Sequence, residues 1–242
     1  MKYSPQKHEK IQDPLSTTGE DINGSLSVTR RKFIESTGAA IAGITLVPRH
    51  VLGGRGFIAP SDKLTMALIG AGTQGLRELP ALLNIPEVQL IAVCDPQKDA
   101  HGYHDWNPMS LKDSLRDFSG LKDWNPGRKT TILGGRDNAK TIVDAWYEKK
   151  SGGTGNAGCR TYADFREMFE KEKDLNAVKI MTPDHLHGLI AMAAMRKGIH
   201  VTMHKPVSNR LLEGLKVIGA ERMCNLTTHL IPWDVNGSME KA

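Results

Sequence analysis

Disulfides and metal clusters have little to work with in this sequence. Three cysteines, Cys94, Cys159 and Cys224, stand far apart in 242 residues. An odd, unclustered set makes neither a disulfide framework nor a metal site. Cys94 lies inside an apolar run, the usual place of a small buried thiol. Aromatics are scarce, at 5%, and no basic stripe is interleaved with them, which argues against nucleic-acid binding. No single-sign charge block runs through the chain either. The net charge is +5, and residues 1–60 hold eight of the 32 Lys/Arg against five of the 27 Asp/Glu. The basic surplus therefore sits mostly in the leader. What remains, 39% hydrophobic and 24% charged residues, is ordinary globular usage with enough apolar material for one good core.

Residues 28–48 read VTRRKFIESTGAAIAGITLVP. The segment Thr29-Arg30-Arg31-Lys32-Phe33-Ile34 closely resembles a twin-arginine export signal. The apolar stretch from about Ala39 to Val47 is too short to cross a bilayer as an ordinary helix and suits a signal h-region. The plainer reading is a basic turn before a short core helix. No clean A-x-A cleavage site follows, so the leader is either removed or kept as a weak anchor. The implied location is exported, periplasmic or membrane-associated, with the twin-arginine export machinery as a partner. Residues 1–28 are polar and without apolar periodicity, and they read as disordered.

The run Leu64 to Ile69 meets Gly70-Ala71-Gly72-Thr73-Gln74-Gly75, a G-x-G-x-x-G directly after a strand. Leu76, Leu79, Leu82 and Leu83 then recur at helical spacing, with Pro80 among them. Gly70 permits the tight turn, Gly72 lets the backbone approach a pyrophosphate, and Gly75 lets helix and strand pack closely. Thr73 and Gln74 open the helix whose N-terminus offers N–H groups and positive potential to phosphates. A second strand, VQLIAVCD, ends at Asp95, 20 residues after Gly75, where an acid grips the adenosine ribose. Its carboxylate repels a 2′-phosphate, so the expected cofactor is NAD rather than NADP.

From Pro96 to Gly135 the periodicity breaks. DWNP occurs twice, at 105–108 and 123–126, which is turn chemistry. The expectation is a surface loop with a short helix near 110–118. The alternative is a cofactor- or substrate-side insertion whose two tryptophans stack on sugar. A helix capped by Asp137 follows, with Ala139, Ile142, Val143 and Trp146 on one face. It runs to Lys149, Lys150 and a glycine pair. A second helix after Thr161 turns Phe165, Met168 and Phe169 inward. The strand Ala177 to Met181 leads into TPDHLH, a helix stopping at Gly198, the strand IHVTM and then His204-Lys205-Pro206. Strands alternating with helices predict an α/β fold, a doubly wound parallel sheet of Rossmann type. In such a sheet the glycine loop, Asp95, Thr182–His187 and Lys205 converge beyond the carboxyl ends of the strands.

GAGTQG, VCDP, TPDHLHGLIAMAAMRKGIHV and HKPVSNRLLEG together resemble the Gfo/Idh/MocA family, named after glucose–fructose oxidoreductase and inositol dehydrogenase. The resemblance runs from about Ser61 onward. It implies NAD(P) binding by Gly70, Gly72, Gly75 and Asp95, with cofactor contacts around Pro183 and His187. It makes Lys205 the lysine of the family's Glu-Lys-Pro motif, touching nicotinamide ribose or a substrate hydroxyl and serving catalysis. His204 replaces the glutamate of that motif, and a neutral imidazole cannot hold the lysine as a carboxylate does. Family members also carry a second domain supplying an Asp/His pair. The expected organisation is a leader over 1–60, a dinucleotide-binding domain over 61–227, and the start of a truncated second domain over 228–242. The implied activity is hydride transfer from a sugar or polyol. An NAD-dependent glycosidase and a nucleotide-binding module without chemistry stand as alternatives, so whether this chain is itself an enzyme is left open. No metal is expected.

Overall fold

Runs such as LTMALI and VQLIAVC are apolar on both sides of the strand, which suits a sheet covered on both faces. The computed structural model describes residues 58–127, 130–151 and 158–231. Six strands form one parallel sheet: β1 (Leu64–Ile69), β2 (Val88–Cys94), β5 (Arg160–Tyr162), β6 (Ala177–Ile180), β7 (His200–His204) and β8 (Thr228–Ile231). Their order is β5-β2-β1-β6-β7-β8. This is the doubly wound, Rossmann-like arrangement that the alternating pattern predicts.

Each face carries its own core. On one, Met66, Leu68, Leu90 and Val93 pack against three helices. These are α1 (Thr73–Leu83), α2 (Pro108–Ser119) and α3 (Arg136–Ser151). On the other, Ala67, Ile69, Val178, Ile180, Val201 and Met203 meet α4 (Phe165–Lys171), α5 (Asp184–Arg196) and α6 (Leu211–Cys224). Side chains such as Leu68, Leu76, Ile142 and Ile180 are fully enclosed. Each gains about 1.5–3 kcal/mol from leaving water. A bulge in β2 adjusts the two layers. Met66 pairs with Leu90 and Ala67 with Ala92, so Ile91 is one extra residue and shares a core with Ala92. Lys179 points to the α1 side, where its Nζ meets Glu78 Oε2 at 3.0 Å. The pairing answers the cost of enclosing an ammonium.

Several expectations need correction. Residues 96–135 are not a loop with one short helix. β3 (Ala100–His104) and β4 (Thr131–Gly134) form an antiparallel ribbon. Between them α2 runs 12 residues, capped by the Asn107 side chain, which accepts the Ser110 N–H. Its Leu111 and Leu115 enter the core, and Trp124 joins them. Of the two tryptophans weighed for sugar stacking, Trp124 is thus packed away and Trp106 stays exposed, with the Arg77 guanidinium over its ring at 4.3 Å. Asp137 lies in the first turn of α3 rather than ahead of it. Thr161 belongs to β5, and Asp164 caps α4 by accepting the Arg166 N–H at 2.8 Å. The sequence pattern gave no helix at Leu211–Cys224, because only Val217 of α6 is buried. Thr228–Ile231 pairs with β7, so the sheet extends beyond residue 227. The twin-arginine segment, the apolar stretch after it, the glycine pair at 152–153 and residues 232–242 lie outside the described residues. Among the described residues no helix is long and apolar enough to cross a membrane.

Candidate functional site

The strand order reverses between β1 and β6. From β1 the chain works outward to β2 and β5, then returns to fill β6, β7 and β8 on the other side. Loops leaving such a switch point part and leave a crevice beyond the strand ends. A cavity of about 610 Å³ lies there, walled by the glycine loop, Asp95–Gln97, Tyr103, Asp164–Arg166 and Met181–Pro183. That volume suits a small-molecule or cofactor site.

The three glycines of the loop have different reasons. Gly70 has φ +97, and a Cβ on it would come within 2.7 Å of the Met181 backbone. A Cβ on Gly75 would lie 2.1 Å from the Gly70 carbonyl oxygen, where α1 crosses the end of β1. Both are demanded by the protein's own packing. Gly72 is not: the first atom a Cβ there would meet is Tyr103 Cε1 at 3.5 Å, an ordinary contact. The bare backbone at Gly72 instead leaves open the cavity it lines with Thr73 and Gln74. These residues begin α1, whose first N–H groups have no acceptor within the helix.

Asp95 follows β2 and is 6% exposed. Its Oδ2 accepts the Ala71 N–H at 2.7 Å and its Oδ1 accepts the Gln97 N–H at 2.8 Å. Arg136 clamps the same turn from α3, donating Nη1 to the carbonyl oxygens of Asp95 and Pro96 at 3.0 and 2.9 Å. The Gly135 N–H donates to Ala71 O at 2.9 Å. The acid is thus both cavity wall and scaffold for the glycine loop. Beside it, burial and then the Asp95 carboxylate push the Cys94 thiol up to about 12. It stays protonated and is no nucleophile.

At the end of β6, Thr182 and Pro183 line the cavity, and Thr182 Oγ1 is enclosed without a hydrogen-bond partner among the described residues. His187 is different. It is 1% exposed, with Nδ1 2.7 Å from Pro206 O and Nε2 2.7 Å from Thr182 O. Its ring pins the β6 turn to the β7 turn from beneath and does not line the cavity. His204 and Lys205 also stand outside the lining, at the end of β7. Lys205 is exposed, and its peptide to Pro206 is cis. Burial holds the His204 imidazole below its ordinary range, with the neighbouring Lys205 ammonium acting the same way. Its bond to the Lys205 carbonyl opposes them.

The structure therefore brings Gly70, Gly72, Thr73, Gln74, Asp95 and Pro183 around one cavity. It sets Gly75 behind the loop, His187 below the floor, and His204 and Lys205 one strand further along. Sequence reasoning missed Tyr103, Gln97, Asp164 and Arg166 as wall residues. Phe165 read as core, and it does pack against the core while its edge reaches the cavity. The available signal was the D-x-R cap at Asp164, which fixes where α4 begins. Among the described residues no three His, Cys, Asp or Glu side chains are grouped to hold a metal ion.

Over residues 134–229 the chain matches the Gfo/Idh/MocA family model, described as an oxidoreductase family with an NAD-binding Rossmann fold. The matched span runs from the last residue of β4 to the first two residues of β8, including the Thr182–Pro206 segment. No curated protein matches the chain. Among solved structures, myo-inositol 2-dehydrogenase from Lactobacillus plantarum is 19% identical, with 70% of this chain and 36% of that one covered and a TM-score of 0.44. The WlbA dehydrogenase from Chromobacterium violaceum, in complex with NADH and UDP-GlcNAcA, is 18% identical, covering 70% and 35%, with a TM-score of 0.42. Scyllo-inositol dehydrogenase from Lactobacillus casei, with bound NAD(H) and scyllo-inositol, is 16% identical, covering 69% and 36%, with a TM-score of 0.43. The chain spans about a third of the length of these structures.

Proposed function

We propose that this chain is the NAD-binding part of an exported Gfo/Idh/MocA-type oxidoreductase that acts on a sugar or polyol by hydride transfer. The observation that carries the reading is the open backbone at Gly72, on a loop whose other two glycines are filled by the protein itself. The cavity fits a dinucleotide. Gly70, Gly72, Thr73 and Gln74 would hold the pyrophosphate, Asp95 the adenosine ribose, and Thr182 and Pro183 the nicotinamide half. A carboxylate oxygen has more than one acceptor site, so Asp95 can keep its backbone bonds and still take a ribose hydroxyl. Its charge favours NAD over NADP.

Bound in that cavity, nicotinamide supplies a two-electron acceptor for hydride from a carbinol carbon. The chain's own part is to orient and exclude. The glycine loop and the Asp95 turn fix one end, and the enclosed Thr182 hydroxyl offers a donor or acceptor at the other. Lys205, directly after β7, is the residue suited to polarise a substrate hydroxyl. The neutral His204 ring stands where the family's motif has a carboxylate.

Calorimetric titration with NAD, NADP and ADP-ribose tests the reading. Saturable binding of NAD and ADP-ribose, with NADP weaker, supports it; heats of dilution alone for all three reject it. Export is a separate arm. Arg30→Lys with Arg31→Lys is expected to hold the protein in the cytoplasm, and unchanged periplasmic yield of that variant removes the twin-arginine assignment.

A further inference from the structure

The ribbon of β3 and β4 has no part in the sequence-based site, yet it delivers an aromatic ring to the glycine loop. Resting on the dinucleotide reading, we propose that Tyr103 is a cofactor-binding residue whose phenol O–H donates a hydrogen bond to the pyrophosphate.

Tyr103 sits on β3 opposite Ile132 of β4. Its ring is held between two glycines from different elements. One edge faces Gly72, where a Cβ would approach Cε1 to 3.5 Å and Cζ to 3.7 Å. The other faces Gly134, where a Cβ would fall 2.6 Å from Cδ2 and Cε2. Residue 134 is thus bare at the place the ring needs. The ribbon is tied to the loop next door, since the Gly135 N–H donates to Ala71 O at 2.9 Å and Thr73 Oγ1 donates to His104 O at 3.3 Å. The ring is seated by the fold rather than resting on it.

The hydroxyl at its tip has no hydrogen-bond partner among the described residues, while the side chain lines the cavity with Gly72, Thr73 and Asp95. A phenol held in such a place without a partner is available to a ligand. Burial, and after it the Asp95 carboxylate, raises the phenol above its ordinary range. It therefore keeps its proton and acts as a donor. Anionic oxygens are the strongest acceptors for such a donor. The ring lies against Gly72, the glycine whose missing side chain gives a pyrophosphate its room, which selects the phosphates over the adenosine ribose.

Tyr103→Phe removes one oxygen and keeps the ring between its glycines, so an unchanged unfolding curve is expected. The probes are NAD, ADP and adenosine. Affinity for NAD and ADP is expected to fall roughly tenfold or more, as for a lost bond to a charged acceptor. Affinity for adenosine, which has no phosphate, is expected to stay as in the unaltered chain. Unchanged ADP binding in Tyr103→Phe overturns the proposal. So does an equal loss for adenosine, which assigns the hydroxyl to the ribose. Tighter NAD binding by Tyr103→Ala also overturns it, since the ring then obstructs the site. An unaltered chain that binds none of the three probes rejects the dinucleotide reading itself, a result distinct from a Phe variant that matches a binding parent.

Discussion

Asp95 Oδ2 accepts the Ala71 N–H at 2.7 Å, so the acid that follows β2 is bonded to the middle of the loop that follows β1. A second bond, from the Gln97 N–H to Oδ1, gives each oxygen one backbone donor. Asp95→Asn offers an acceptor to only one of these donors and turns an N–H₂ toward the other. Chemical denaturation is expected to show a loss of about 1–3 kcal/mol. The same variant narrows the preference for NAD over NADP in a paired titration, because the repelling charge is gone. An unchanged preference would assign discrimination to another group.

Gly75 and Gly72 separate folding from binding. Gly75→Ala forces a carbon to within 2.1 Å of the Gly70 carbonyl, and it is expected to unfold at a much lower temperature or fail to accumulate. Gly72→Ala meets nothing nearer than 3.5 Å and is expected to melt within a few degrees of the unaltered chain, as a change of under about 0.5 kcal/mol allows. Its NAD affinity nevertheless drops at least about tenfold. Gly72→Val extends the effect to no detectable binding. Normal NAD affinity in Gly72→Ala would contradict the pyrophosphate assignment.

Lys205 and His187 make a second contrast. Neither lines the cavity. Lys205→Ala removes an exposed side chain, so NAD affinity should stay within about threefold and the melting point should hold. His187→Phe takes the ring nitrogens away from Thr182 O and Pro206 O and removes the one N–H that a neutral imidazole donates between them. A cost of about 1–3 kcal/mol is expected. Differential scanning calorimetry of the two variants reads the difference. Equal melting points would remove the pinning role of His187.

The pH dependence has a definite sign at His204. Its folded-state value lies below the ordinary 6.5, because burial opposes the imidazolium. The unfolded chain then binds the proton more readily. The His204 contribution is fully present above pH 6.5 and is lost as the pH falls through the folded value. Stability measured from pH 7.5 to 5 should fall less steeply in His204→Gln than in the unaltered chain. Identical slopes would show that the ring titrates normally.

How far the sequence announced this structure depends on how local each signal is. The strand, glycine loop, helix and second strand from Leu64 to Asp95 are consecutive, and each glycine's reason is met within a few residues or at the next strand end. The same is true of Ala177–His204, where two apolar strands flank a helix that ends before Gly198. The ribbon escaped because β3 and β4 are joined by α2 and a turn, and pairing over that distance leaves no periodic mark on either short strand. β5, only three residues long, is a strand because β2 offers it an edge. α6 lacks the apolar stripe that would have marked it, since its apolar residues, Leu211, Leu212, Leu215, Val217 and Ile218 among them, are spread around the helix. His187 lies in the first turn of α5 and Lys205 just past β7, and the direction of each side chain depends on packing that spacing does not encode. Tyr103 was invisible for the same reason: its partners are Gly72, in the loop after β1, and Gly134, at the far end of the insertion that holds Tyr103 itself.

The position of β1 has a consequence in time. It is bonded on one side to β2 and on the other to β6, whereas β5 and β8 each have one neighbour in the sheet among the described residues. Amide protons on the flanks are released by small, frequent openings, while those at the centre wait for the whole sheet to come apart. Placed in heavy water, the molecule should therefore label from its margins inward, and the strand leading into Gly70 should be among the last to take up deuterium. The glycine loop that walls the cavity hangs from the slowest clock in the protein.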